Sequence, residues 1–467
     1  MKSKKQILLA TSALVIIPAM VGFFASDAEA ATKKSKKAAA TAAAAAPAAA
    51  VAAAPAVKPE QKSELAEGLD KFSTDNFPDV KPGSLGYAIL HGTPWINARY
   101  RYEMVDQDGF AEDAYASTLR TRIGYKTGLW QGFQVAVEGE NIMALGVDHY
   151  NSSTNGKTQF PGVTDPEDTA LNQLYISYQG LPKTNITIGR QVVNLDNQRF
   201  IGSSDWRQND QTLDAASIST QFIDHASIYY AYVNKVNRVT GPYATNGAYD
   251  SDSHLINASY EFDPALKITA YDYMLDFDDA RSSSSMTYGA RLTGKLGLGN
   301  DFGFIYAAEI ANQSDYADNT ANYSANYYLA EPGLTWNGFT AKGGYEVLEG
   351  DGISSNAFQT PLATLHAFNG WADKFTTTPA NGLEDRYVSL GYKVPFGDPL
   401  VKGTDILVAY HDYESNHTNV HYGTEWNAQI QQTFYNHYTL GLKFADYNAD
   451  KLFTDTTKVM ATVQIKY

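Results

Sequence analysis

Arginine recurs at alternate positions twice in the aromatic-rich part of the chain, first as Arg99 and Arg101 and then as Arg120 and Arg122. A guanidinium group offers paired N–H donors that match two oxygens of a carboxylate or phosphate, so rows of it suit weak, repeated contact with an anion. Arg291, Lys295, Lys342, Lys443, Lys458 and Lys466 fall on comparable polar positions further along, and Glu103, Glu138 and Glu140 stand as acidic partners near the first rows. A short turn near Trp130 is expected to bring Arg120 opposite or nearly opposite Glu138, with Glu140 beside it. The basic set therefore reads either as a cross-strand charge ladder or as an anion track, and the two can coexist.

Other chemistry has little support. His411, His421 and His437 lie near the ends of apolar runs with no paired nucleophile, so no enzyme is expected. The chain has no Cys, which excludes a disulfide framework and any thiolate metal site. Its acidic residues are too irregularly spaced to name a metal ligand, and no cofactor is expected. A net charge of −15 argues against nucleic acid as a partner.

Alternation of this kind needs strands. From Trp95 onward the hydrophobic period is two: Ile96, Ala98, Tyr100, Tyr102 and Met104 share one face, and Asn97, Arg99, Arg101 and Glu103 the other. Phe133, Val135 and Val137 oppose Gln134, Glu138 and Glu140, while Phe302, Phe304, Tyr306, Ala308 and Ile310 make a further apolar face. Tyr438, Leu440, Leu442 and Phe444 repeat the pattern. About eighteen such runs begin near 95, 114, 132, 170, 184, 213, 226, 253, 266, 286, 302, 325, 338, 385, 403, 423, 437 and 457. Each is close to the ~9–11 residues that cross a bilayer as a tilted strand.

The connections alternate short and long. Those near 127–132, 180–183 and 222–225 are short, and 143–168, 194–212, 236–252 and 349–384 are long. A transmembrane antiparallel barrel with a periplasmic N-terminus has short periplasmic turns and long outer loops in this order. A soluble β-sandwich also alternates, but about eighteen strands would leave a very large aromatic surface in water. With 32 Tyr, 21 Phe and 19% charged residues, the composition fits a barrel better than a soluble domain, where about 25% charge is usual.

The chain ends divide into four expected parts. Residues 1–30 have the basic start, apolar middle and Ala28-Glu29-Ala30 cleavage pattern of a secretory signal. Residues 31–59, rich in Ala, Lys and Pro, read as a disordered linker; a tether for wall polymer is the other role considered for it. Residues 60–92 form a periplasmic segment in which Leu65, Ala66, Leu69 and Phe72 recur at helical spacing, and 93–467 is the barrel. The last residues alternate as Val459, Ala461, Val463, Ile465 and Tyr467, which resembles the C-terminal signal that assembly machinery reads in bacterial outer-membrane proteins. Expected partners are therefore outer-membrane lipid, lipopolysaccharide and the barrel-assembly machinery. Acidic residues assigned to outer loops, Asp165 and Asp168 among them, could share divalent cations with lipopolysaccharide at the rim.

One short motif remains. Gly189-Arg190-Gln191, then Asp205-Trp206-Arg207-Gln208-Asn209-Asp210 and Leu213-Asp214-Ala215, resembles the alginate-export family of outer-membrane proteins over roughly Thr93 to Tyr467. The resemblance implies an eighteen-stranded barrel around a narrow electropositive conduit, whose best-known examples release an anionic polysaccharide. Within the motif, Gly189 is expected to allow close backbone approach. Arg190 shares the parity of Ile186 and Ile188, so it should be turned inward, with the conduit residues, or held at the interface. Asp205, Arg207 and Asp210 read as a salt-bridge cluster within their loop, with Trp206 packing it down. The expected function is passage of a hydrophilic, anionic solute or oligosaccharide through the outer membrane; the alternative is a dedicated exporter of an alginate-like acidic polysaccharide.

Overall fold

The computed structural model describes residues 64–398 and 400–467. The expected signal peptide and Ala/Lys/Pro linker lie outside them. Among the described residues two short helices come first, α1 (Glu64–Asn76) and α2 (Leu85–Leu90). Ser84 caps α2, its hydroxyl accepting from the Tyr87 N–H at 3.1 Å.

Eighteen antiparallel strands follow and form one closed sheet. Closure joins β1 (Thr93–Gln107) to β18 (Thr456–Lys466), with Asn97 opposite Lys466 and Gln107 opposite Thr456. A closed sheet has no free edge, so its backbone groups pair from strand to strand around the barrel, with the ladder between Ser324–Trp336 and Phe339–Leu348 interrupted at Glu331 and Pro332. The observed strands start within two residues of the expected positions, except β8 (Ala248–Asp263), in which Asp250, Ser251 and Asp252 break the apolar run and extend the strand ahead of the expected 253.

Hairpin turns at one end fix the register. Between β2 (Ala114–Lys126) and β3 (Phe133–His149), Gln131 and Gly132 both take positive φ, 50° and 86°, which is the two-residue turn that matches strand twist. That turn sits later than expected and shifts the pairing: Arg122, not Arg120, stands near Glu140, while Glu138 faces Gly124.

The two faces differ as the period-two pattern requires. Outward positions stay exposed although apolar, including Ile123 at 62%, Ile188 at 56% and Val388 at 59%. A continuous apolar belt of this kind faces lipid. Inward positions carry the buried polar residues Arg99, Arg101, Glu103, Arg120, Arg122, Glu138 and Glu140.

The lumen is not an open aqueous channel along its full height, contrary to what the strand number implies. The loops of residues 192–211 and 349–382 fold into it. Phe200, Ile201, Phe358, Leu362 and Phe375 from those loops pack on inward-facing Tyr271, Tyr273, Tyr327, Tyr413 and Tyr447 of the wall. The physical reason is that these inward tyrosines need apolar cover, and the loops supply it. The loops also join each other: Ile201 bridges Leu362, and the Gln211 amide donates to the Gly202 and Leu362 carbonyls at 2.7 and 2.9 Å.

Candidate functional site

The register of β1 and β2 places Arg99 directly opposite Arg120, and Asn97 opposite Arg122. Like charges opposed across strands repel, so the cluster needs a counter-charge. The loop of residues 192–211 delivers it. One oxygen of Asp205 lies 2.9 Å from Arg120 Nη1, 3.4 Å from Arg122 Nη1 and 3.6 Å from Arg99 Nη1. Enclosure within the barrel would by itself raise the Asp205 pKa, but Arg99, Arg120 and Arg122 outweigh it and hold the carboxyl below its usual range.

Backbone carbonyls of the same loop complete the arrangement. Arg99 donates to the carbonyls of Asp205 at 2.6 Å and of Arg207, and Arg122 donates to that of Gln208 at 3.2 Å. The Gln208 side chain accepts from Arg99 Nε at 3.1 Å and donates to Thr118 at 2.9 Å. Arg122 also pairs with Glu140 and, at 2.7 Å, with Asp210.

A second layer lies beside the first. Arg101 pairs with Glu103 at 2.7 Å, donates to the Trp206 carbonyl and sits 3.9 Å from the Trp206 ring centre. Lys443, on β17 (Tyr438–Ala449), lies 4.0 Å from the same ring and 4.2 Å from that of Trp371. His366 stacks on Trp206 at 4.1 Å, and its Nδ1 lies 2.8 Å from Asp373. Asp373 also binds Arg207 at 2.9 Å and Lys458 at 2.8 Å. Burial, against the pull of Asp373, pushes His366 down to about 3, so its ring is neutral at ordinary pH.

Sequence reasoning placed Asp205, Arg207 and Asp210 in a cluster of their own loop; instead each pairs with wall residues or with the second loop. A backbone segment with several inward-facing arginines around it satisfies them better than its own side chains do. Asp165, assigned to the outer rim, is 1% exposed and accepts from the Gln208 N–H at 2.9 Å.

Arg190 does not join the lumen set. β5 (Thr184–Gln191) pairs with β6 (Thr212–Thr220) without a register shift here, so Arg190 keeps the outward parity of Ile188. Its charge is met on that face by Asp214, at 2.7 and 3.0 Å. Gly189, with φ 127°, has the Leu174 carbonyl 2.3 Å from where a Cβ would stand, so only glycine fits that approach; Gln191 donates to the Ala215 carbonyl.

The remaining basic residues are dispersed. Arg291 pairs with Glu309, Lys342 pairs with Glu331 at 3.0 Å, and Lys295 is exposed. Glu138 accepts from Trp95 and, at 2.7 Å, from Asn172. Sequence reasoning missed His366, Asp373, Trp371 and the Arg199–Glu346 pair at 2.8 Å, all tied to the two inward loops. The signal available was the scatter of Phe, Ile, Leu and Trp through segments otherwise taken for solvated outer loops, although it carries no period.

Among the described residues no group of His, Asp and Glu is arranged to hold a metal ion. The site presents three guanidinium groups on a loop-borne carboxylate, and 59% of that Asp205 side chain is open to water. The arginine side chains themselves are at most 7% exposed, so the accessible surface of the site is that of Asp205.

OccAB4 of Acinetobacter baumannii has a similar fold, with a TM-score of 0.63 and 18% identity over 80% of this chain and 97% of that one. OpdL of Pseudomonas aeruginosa gives 0.62 and 14% identity over 81% and 99%. OccAB2 of A. baumannii gives 0.62 and 16% over 82% and 99%. No curated protein matches the sequence. The family model described as alginate export matches residues 95–370, which take in the arginine rows and most of both inward loops, and the chain belongs to the alginate export family.

Proposed function

We propose that this outer-membrane barrel passes an anionic, hydrophilic solute or oligosaccharide along the water-accessible gap at Asp205. The observation that carries the reading is the convergence of Arg99, Arg120 and Arg122 on one loop carboxylate that remains 59% exposed. A solute carboxylate matches the chemistry of Asp205, so it can share or take over the same donors while the loop shifts. Arg120 has spare buried donors, Nε and Nη2, without a protein partner. Exchange between tethered and passing carboxylates keeps binding weak enough for release.

The family match favours a second reading, in which the solute is an acidic polysaccharide chain exported under dedicated control. The two readings differ in the length of substrate that competes. Both assign transport and no catalytic step. In both, residues 1–30 direct export, 31–59 form a linker, the N-terminus lies in the periplasm beside the short turns, and the terminal strand is read by the assembly machinery. Lipopolysaccharide surrounds the outer rim.

Single-channel recording tests the proposal. A monomeric uronate and an oligouronate should each reduce chloride current, and a neutral oligosaccharide of equal size should do so far less. Equal block by neutral and acidic sugars sinks the anionic reading. Block by oligomers alone favours the polysaccharide.

A further inference from the structure

The helices ahead of the barrel have an apolar surface that the conduit does not use. On α1, Leu65, Leu69 and Phe72 follow one another at helical spacing, while Ala66 and Ser73, about a quarter turn away, are buried. Leu65 is 40% exposed and Phe72 57%, and the Phe72 ring meets the exposed Phe77 ring edge-on at 6.4 Å. Leu85 and Ile89 of α2 are each half exposed. Opposite this stripe, Glu64, Glu67 and Lys71 are exposed.

Two sets of contacts fix the height of this pair of helices. Asp70 binds His91 at 2.8 Å and the Ser73 hydroxyl donates to the Leu90 carbonyl at 2.8 Å, which joins α1 to the end of α2. Tyr125 of β2 then donates to the Ile89 carbonyl and accepts from the Gly92 N–H at 2.9 Å. Tyr125 has the outward parity of Ile123, so the helices are attached at the lipid-facing side of the wall.

Tyr125 belongs to an aromatic ring around the short-turn end. Outward pairs there include Phe133–Tyr178 at 4.7 Å, Phe302–Trp336 at 5.5 Å and Phe339–Tyr392 at 4.2 Å. Such girdles mark the headgroup level of a membrane barrel. A helix bound to the girdle has its exposed apolar stripe beside acyl chains and its charged side toward water.

We infer that α1 and α2 form a foot that lies in the headgroup region of the adjacent leaflet, with Leu65, Phe72, Phe77, Leu85 and Ile89 in contact with lipid. The occupant is lipid rather than a protein because the stripe continues the lipid belt of the barrel through Tyr125 and Ile123. Its acidic far side fits ammonium-bearing phosphatidylethanolamine headgroups. The foot spans the start of the first strand, next to the seam where β18 closes the barrel, and steadies that seam against the bilayer.

The chain lacks cysteine, so a single introduced thiol is a unique labelling site. Full-length Phe72→Cys, Ile89→Cys and Lys71→Cys proteins, each labelled with a nitroxide, are reconstituted in vesicles rich in phosphatidylethanolamine. Folding is checked by heat-modifiable migration, and accessibility to oxygen and to a water-soluble nickel chelate is measured by electron paramagnetic resonance. Labels at 72 and 89 should favour oxygen over nickel several-fold more than the label at 71. Equal, nickel-dominated accessibility at all three positions of a folded barrel overturns the inference. So does a label at 72 that becomes shielded from nickel only when periplasmic extract is added, since that identifies a protein occupant.

Discussion

Arg99 and Arg120 stand opposite each other across β1 and β2, and their shared counter-charge is Asp205, 85 positions beyond Arg120 in the chain. The strand pairing creates a local repulsion that only a folded-in loop relieves. Wall and loop are thus parts of one electrostatic unit, and the state of the loop is set by what else can meet the arginines.

Asp205→Asn should weaken loop attachment while preserving the barrel. Removing one partner of a fully buried ion pair costs about 3–5 kcal/mol. Asp205 is largely open to water, so the loss should stay below that range. The measurable outcomes are more frequent opening events, higher conductance and a reversal potential moved toward anions. Unchanged current would show that the loop carboxylate does not control the gap.

Wild-type channels should prefer anions even though the chain carries a net charge of −15. Charges at the outer mouth are screened within about 8 Å at physiological salt. Arg99, Arg120 and Arg122 act instead on an ion already beside them. Arg101→Glu and Arg120→Glu should each move the reversal potential toward cations in a salt gradient, with the larger change at Arg120, which faces Asp205 directly. Cation selectivity of the wild type at low and high salt would overturn the electropositive conduit.

Mild acid should loosen the second layer. His366 has a folded-state pKa lowered to about 3 from an ordinary 6.5, chiefly by burial. A depressed histidine favours the docked loop when neutral. That stability is present above about 6.5 and declines as pH falls toward about 3, because the released ring binds the proton more readily. Asp205 and Asp373 are held below the ordinary carboxylate value, so they keep their charge across most of this window. Channel noise should therefore rise between pH 6 and 4, and His366→Gln should remove the dependence. A pH profile identical in the variant would place the sensor elsewhere.

The alternation of Tyr, Phe and Val with Arg, Glu and Gln made the wall readable, because a lipid face and a water face impose a period of two on every strand. The loops were harder. Phe200, Phe358 and Phe375 have no periodicity, and their partners Tyr273, Tyr327 and Tyr413 lie on other strands, so their burial follows only from the closed barrel. The Arg122–Glu140 pairing was missed by two positions because a hairpin register depends on which residues take positive φ, here Gln131 and Gly132. Arg190 illustrates the opposite case: the cost of an arginine on the lipid side argued for turning it inward or to the interface, but Asp214 on the next strand meets the charge on the outward face and Arg190 stays out of the lumen.

Closure of the barrel supplies the last prediction. Val463 lies between Tyr100 and Leu440, and Ile465 between Ala98 and Tyr438, all on the outward face. A charged residue on that face costs about 2–4 kcal/mol for Arg or Lys at the bilayer midplane, less for Asp, and less again near the interface. Val463→Asp should therefore reduce the yield of heat-modifiable barrel more than Ile465→Asp, which is one step nearer the girdle. Tyr467 exchanges two backbone hydrogen bonds with Ile96, both 2.9 Å, and its ring stacks on His437 at 4.3 Å. Deleting it removes the final rung of the seam, so insertion should slow while any barrel that forms keeps its conductance. Equal yields for all three variants would mean that the closing strand has a different register from the one paired with Tyr100 and Leu440.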